Sequence, residues 1–353
     1  MMKTNPLLVE ALRGSALESA HRGAVAIVDG DGRRVLALGE VERAVFPRSA
    51  VKLLQALPLV ASGAADALQL ADAELALACA SHNGEPAHVA TARGMLAKAG
   101  LDAGALECGT HWPGLDAAGR ELAAQGEAPT ALHNNCSGKH AGFLCLACAL
   151  HGREGLRGFS RGYVEPQHAV MREVSAALQA ATDCDLAHAP VGTDGCSIPT
   201  FAIPLDKLAL AFARVATGQG LSAGHARAAQ RLRGAIARAP FMVAGTGRFD
   251  TRVMDVLGER VCCKVGAEGV YCAALPERGW GVAIKVDDGN NARAAEVVMA
   301  AVIEAAVRLD TEAAGLLRSL SELTLRNWNG RVVGQLRASA TLRDALAGLA
   351  APR

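Results

Sequence analysis

The sequence predicts an α/β (α+β) protein whose two ends build one antiparallel sheet and whose middle builds a mostly helical lobe. Three observations predict it. Alternating apolar runs flank a turn near the N-terminus, helical periodicity fills the middle, and strand-like runs return only after residue 245. The 353 residues are 51% hydrophobic and 20% charged, which supplies a full core and excludes intrinsic disorder.

In chain order, AVAIVD and RVLALG surround the turn GDGR, so 23–39 is a β-hairpin. Pro47 precedes a helix over Ala50–Val60 with Val51, Leu54 and Leu57 on one face. A second helix fits Ala71–Cys79. Further helices fit Gln167–Ala181, Leu205–Thr217 and Ala223–Arg238, between Gly/Pro/Asn-rich loops at 109–117, 133–142 and 190–199. RVCCKVG, GVYCAAL and GWGVAIKVDD read as strands. A helix over Ala292–Leu309 follows, with Asn290 or Asn291 as N-cap. The tail holds a short strand, Arg331–Leu336, and a last helix, Ala340–Leu349. The expected division is a discontinuous sheet domain, 1–45 with 245–353, and a helical lobe, 46–244, that carries most of the loops of interest.

Charge balance removes several classes of function. The 36 basic and 35 acidic side chains leave a formal charge of +1, so no basic surface for nucleic acid or anionic membrane is expected. Aromatic residues at 3% make a base-stacking platform equally unexpected. No run approaches the roughly 18 apolar residues that span a bilayer. Glu10, Arg13 and Glu18 interrupt the stretch where a signal peptide needs an apolar core, so a cytoplasmic location is expected. The ten cysteines are then thiols.

Ser49 and Lys52 stand three residues apart at the start of a helix, a spacing that puts both on one face. A lysine kept neutral by burial can take the proton of a serine hydroxyl, and the helix start favours a developing oxyanion. The alternative is an N-cap serine with a solvated lysine. Ser81-His82-Asn83-Gly84 offers a second hydroxyl and an amide, or simply a turn. Lys264-Val265-Gly266 places a lysine on a late strand, where it either faces a ligand or blunts a sheet edge. Ser-x-x-Lys, Ser-x-Asn and Lys-x-Gly in this order is the arrangement of serine β-lactamases and penicillin-binding proteins. The fourth feature, the run His133–Gly142 (HNNCSGKHAG), is dense in polar groups and glycine. Cys136 and Cys196 could act there as soft metal ligands with His140 nearby, although their spacing alone supports zinc weakly. Cys145 and Cys148 have C-x-x-C form within an apolar helix and read as core thiols, and Arg248 in GTGR could orient a carboxylate.

The stretches FPRSAVKLLQALP, ASHNGEPAH, LHNNCSGKHAGFL, TDGCSIPTFAIPL and AGTGRFDT…CCKVGAEGVY resemble the Rhizobium-type L-asparaginases, collinearly from about residue 5 to 310. The resemblance implies a serine β-lactamase/glutaminase-like fold, a homodimer, and hydrolysis of L-asparagine to L-aspartate and ammonia. It implies two Ser–Lys pairs, Ser49 with Lys52 and Ser81 with Lys264, and a zinc ion held by Cys136, Lys139 and Cys196. It also implies a substrate pocket lined by Arg48, His140 and Asp194, to which the Ser-x-Asn reading adds Asn83. Other Ser–Lys amidohydrolases, a glutaminase among them, and a non-enzymatic zinc-binding or redox-sensing protein are the competing readings.

Overall fold

Eight strands form the main sheet of the computed structural model, which describes residues 4–349. Their order is Glu322–Arg326, Val332–Ala338, Leu7–Arg13, Ala16–Asp29, Trp280–Val286, Val270–Leu275 and Cys262–Val265, with Arg34–Leu38 paired to Ala16–Asp29. Pairing is antiparallel from Glu322–Arg326 through to Val270–Leu275. The strand Ala16–Asp29 is long enough to serve two neighbours in succession. Its first half pairs Leu7–Arg13, and its second half pairs Trp280–Val286 on one side and Arg34–Leu38 on the other. Gly23 sits at the changeover, where any side chain would run into the backbone of Lys285 and Val286.

The expected union of N-terminal hairpin and C-terminal strands is therefore the observed one. Every residue of Val270–Leu275 is buried. Alternate side chains of a strand point to opposite faces, so both faces of the sheet are covered there. Helix Leu205–Thr217 packs on Ala16–Asp29, Val270–Leu275 and Trp280–Val286. Gly281 allows its close approach, because a side chain at that position would collide with the backbone of Ala209 and Ala213. The Asn290 side chain caps the following helix by accepting the Arg293 N–H at 2.9 Å. That helix opens with a π-helical turn, Asn291–Ala295, and continues as Glu296–Ala306.

The chain divides into two compact units. One comprises the described residues of Met1–Ala50, Ile203–Gln219 and Cys263–Arg353; the other comprises Val51–Ala202 and Gly220–Cys262. Three segments thus fall on the other side from the expected 1–45/245–353 and 46–244 division: 46–50, 203–219 and 245–262. Leu205–Thr217 goes with the sheet because its apolar stripe lies on the strands. The stretch up to Cys262 goes with the helices because Phe249–Leu257 packs on Pro240–Val243 and on Ala223–Arg238.

In the helical unit the expected helix over Ala50–Val60 is interrupted. A 3-10 turn, Arg48–Val51, leads into Lys52–Gln55, and a new helix starts at Leu57 with Pro58 in its first turn. Proline has no N–H for a continuous ladder and fits only near a helix start. Helix Ser137–His151 is buried from Ser137 to Ala147 and packs against Asp72–Ala78 and Pro86–Ala99. Gly138 lies directly on Leu77, where a side chain would have no room. Among the described residues no helix is long and apolar enough to cross a membrane.

Candidate active site

The first turn of helix Lys52–Gln55 is apolar on both sides of its lysine. Val51, Leu53 and Leu54 are core residues, and Lys52 is drawn in with them to 0% exposure. Its amine reaches a small ring of polar atoms: Ala80 O at 2.5 Å, Ser81 Oγ at 2.9 Å, Cys136 Sγ at 3.1 Å and Asn135 O at 3.4 Å. Burial pushes the Lys52 amine below the usual lysine range. Lys139 acts in the same direction, while Cys136 and Cys196 oppose it. A neutral amine has two N–H bonds and one lone pair. In that form two of the four acceptors around it, Ala80 O, Ser81 Oγ, Asn135 O and Cys136 Sγ, take the N–H bonds, and the lone pair can take a serine hydroxyl proton. Ser81 therefore has Lys52 as a direct partner, where the resemblance assigned it Lys264.

The loop Ser81–Glu85 is fixed by its backbone and its own side chains. Ser81 N–H and Asn83 N–H donate to Val243 O and Ala244 O, each at 2.9 Å. His82 Nδ1 accepts the Gly84 N–H at 3.0 Å, and Gly84 takes the left-handed φ of +75° that the turn requires. Burial holds His82 well below the usual histidine range, so it is a neutral acceptor. Asn83 Nδ2 donates to Thr246 O at 3.1 Å, and Arg248 Nη1 donates to Asn83 Oδ1 at 3.1 Å. Glu85 accepts Thr246 N–H and Oγ1–H at 2.8 and 2.6 Å. These bonds outweigh burial and keep its carboxyl below the usual range. Gly245 is required beside them, because a side chain there would strike the Glu85 carboxylate. The Asn-Gly sequence is thus a turn, and it is also the means by which Ser81 and Asn83 are held.

Cys136, Lys139 and His140 come from the start of helix Ser137–His151, and Cys196 from the tip of the ribbon Val191–Thr193/Pro199–Phe201. Lys139 Nζ donates to Cys196 Sγ at 3.0 Å. A hydrogen bond from Cys196, aided by Lys52 and Lys139, holds Cys136 well below the usual thiol range against the pull of burial. The same bond, together with burial, pushes Cys196 up. Burial works against the Lys139 charge, but Cys136 and Cys196 outweigh it and raise this amine. The group is a thiolate–ammonium cluster.

The donor set fits the zinc that the resemblance implies: two sulfurs suit a soft-to-borderline cation, and a deprotonated amine completes three ligands. Binding would have to displace the Lys139 proton. Among the described residues no three His, Cys, Asp or Glu side chains are disposed to hold a metal, so the fit requires Lys139.

Of the remaining residues read from sequence, Asp194 precedes Cys196 in the same ribbon tip and accepts the Gly195 N–H at 2.8 Å. Ser49 lies on the Arg48–Val51 turn and Lys264 on the edge strand Cys262–Val265, where it is only 2% exposed and donates to Val265 O at 2.8 Å. It is not a solvated, edge-blunting lysine. Arg48, Ser49 and Lys264 belong to the sheet unit, and Lys52, Ser81, Asn83, Cys136, Lys139, His140, Asp194 and Cys196 to the helical unit. Two non-glycine residues beside these positions, Arg48 and Ser197, have φ of 51° and 77°. Such strain concentrates at functional sites. The sequence reading missed Glu85, Thr246 and Tyr163. Gly245 of GTG, which admits Glu85, was the available signal for the first two.

A family model described as L-asparaginase II matches residues 9–338. No curated protein sequence matches the chain. Among solved structures, a crystal structure of Mglu is 15% identical over 78% of this chain and 64% of that one, with a TM-score of 0.34. Mglu in its native form in 4.3 M NaCl is 17% identical over 77% and 58%, TM-score 0.34. Mglu in its Tris and glutamate form is 15% identical over 82% and 61%, TM-score 0.33. The chain spans a little under two thirds of the length of these structures.

Proposed function

The chain belongs to the L-asparaginase II family, and on that premise we propose that it hydrolyses the side-chain amide of L-asparagine to L-aspartate and ammonia. The observation that carries the reading is the buried Lys52 amine, lowered toward its neutral form and 2.9 Å from Ser81 Oγ. Ser49, three residues before that amine, is the nucleophile. Its oxygen bonds to the amide carbon while its proton passes to Lys52, and backbone N–H groups at the Arg48–Val51 turn meet the oxyanion. Lys52 returns the proton through the Ser81 hydroxyl to the leaving nitrogen, the C–N bond breaks, and ammonia departs. Water then attacks the acyl-enzyme ester, giving its proton to Lys52; the ester C–O bond breaks, and Lys52 passes that proton to the departing Ser49 oxygen, so both groups are restored.

Lys264 supports the second hydroxyl. Arg48 and Asp194 match the α-carboxylate and α-ammonium of an amino acid in charge, and Asn83 and His140 offer neutral hydrogen bonds. Cys136, Lys139 and Cys196 would hold zinc, which when bound would polarise a substrate oxygen as a Lewis acid.

Ammonia release from asparagine and glutamine, with hydrolysis of a chromogenic β-lactam alongside, tests this. Asparagine and glutamine differ by one methylene, which a pocket discriminates by about 10–200-fold in kcat/KM. We expect asparagine to be preferred, Ser49→Ala to be folded and inactive, and a trapped acyl adduct to map to Ser49. Preference for glutamine would make the protein a glutaminase, and an adduct on Ser81 would exchange the roles of the serines. Wild-type protein without amide turnover would sink the reading.

A further inference from the structure

His140 and Tyr163 are both fully buried, and His140 Nδ1 lies 2.6 Å from the Tyr163 hydroxyl. The same hydroxyl accepts the Glu107 N–H at 3.0 Å. Glu107 Oε1 in turn accepts the Gly162 N–H at 2.8 Å, so the residue before Tyr163 is tied to the same loop. The two rings meet edge to face with centroids 5.4 Å apart. On the other side of the imidazole, Nε2 is buried and has no hydrogen-bond partner among the described residues.

Counting protons decides how this chain of bonds runs. The phenol has one proton to donate and must place it on an acceptor. Glu107 N–H is a donor, so His140 Nδ1 is the acceptor within reach. Were Nδ1 protonated, two N–H groups would point at one phenol oxygen and the phenol proton would be stranded in the interior, at a cost that native proteins rarely bear. The arrangement that satisfies every group has Tyr163 O–H donating to a bare Nδ1. The imidazole proton then sits on Nε2, and Nε2–H is a buried donor without an acceptor.

We infer that Tyr163, itself held by Glu107 N–H, is a positioning residue that locks His140 as the Nε2–H tautomer and presents that N–H to a carbonyl or carboxylate oxygen of the substrate. An unsatisfied buried donor is explained if the substrate supplies its partner. A hydrogen-bond partner on the far nitrogen commonly sets the tautomer and direction of a working imidazole. That the acceptor belongs to an amino-acid amide rests on the function proposed above; the tautomer lock does not.

Two measurements separate the parts. Nitrogen-15 NMR of the imidazoles, with His140→Gln to identify the signal, is expected to show His140 protonated at Nε2 in the wild type and shifted toward Nδ1 protonation in Tyr163→Phe. This readout does not depend on asparagine turnover. In kinetics, Tyr163→Phe is expected to raise KM for asparagine about tenfold or more, with a smaller change in kcat. A glutamine side chain places an N–H donor where Nε2 was and has no tautomer to lock. In the His140→Gln background, Tyr163→Phe is therefore expected to change KM less than twofold. His140 protonated at Nδ1 in the wild type overturns the inference. So does a Tyr163→Phe variant that only melts earlier with wild-type KM, or an equal KM effect in both backgrounds. A normal tautomer in a wild type without amidase activity would instead count against the proposed substrate.

Discussion

Two parts of this molecule are equally dry and differ in everything else. In the sheet unit, Val270–Leu275 and Trp280–Val286 bury Val, Ala, Leu and Ile side chains that ask nothing of their surroundings except contact. In the helical unit, the first turn of Ser137–His151 buries Ser137, Lys139 and His140, with Lys52 and Ser81 close by. Burial in the first region is favourable at about 25 cal/mol per Å² of apolar surface. In the second it opposes folding, because an amine or imidazole leaves water only if its bonds are replaced. The polar cluster is tolerated because each member answers another: Lys52 with Ala80 O, Ser81 Oγ and Cys136 Sγ, and Lys139 with Cys196 Sγ. Burial in the strands thus stabilises outright, whereas the polar cluster is buried at some expense of stability.

Substituting one residue on each side of the comparison tests it most strongly. Lys52→Met keeps the length and loses the amine, so catalysis should fall by about 10³-fold or more, since an unassisted serine is a weak nucleophile. Stability should move by less than about 2 kcal/mol in either direction, because a costly buried polar group is replaced by an apolar one of similar volume. Ile284→Ala should show the opposite pattern: a loss of about 2–5 kcal/mol in urea denaturation, with kcat/KM in the surviving folded protein close to wild type. A Lys52→Met protein that unfolds while Ile284→Ala merely loses activity would break the division between the two regions.

The sheet was far more legible than the site, for a physical reason. The hairpin over 23–39, the three returning strands and helix Leu205–Thr217 each carry their apolar period within a dozen residues, and all form at the expected positions in the chain, although the helix packs on the sheet and not in the helical lobe. Leu7–Arg13 has an irregular burial pattern because its register with Ala16–Asp29 shifts twice, and it could not be read from alternation. Glu322–Arg326 is half-covered at the sheet edge, which left it equally weak as a signal. Within the candidate site, Lys52 and Ser81–Asn83 could be singled out because each stands in a local motif. Arg248, read as a residue that could orient a carboxylate, instead holds Asn83 across 165 positions, and Tyr163 meets His140 across 23. Nothing in a local window encodes such partners.

Acid should expose the same asymmetry more gently. His82 and His88 are buried in the helical unit, and burial lowers both below the free histidine value of 6.5. His82 Nδ1 accepts the Gly84 N–H, and His88 Nδ1 accepts the Glu85 N–H at 3.2 Å, so neither nitrogen is free to take a proton in the folded protein. The unfolded chain binds those protons as the pH falls through about 6.5 and the folded chain does not. With more protons bound in the unfolded state, stability rises with pH in this range and is lost on going down, by at most about 1.4 kcal/mol per unit for each histidine. The window between pH 6.5 and 5.5 lies above the range in which carboxylates titrate, so histidines set the slope there. Urea midpoints should therefore drop between those two values in the wild type, and His88→Gln should weaken the slope by one histidine's share, at most about a third, because burial lowers His82 and His140 as well. An amide can still accept the Glu85 N–H, but it takes up no proton in either state. A slope that His88→Gln leaves untouched would place the acid sensitivity elsewhere and remove this distinction between the helical unit and the sheet.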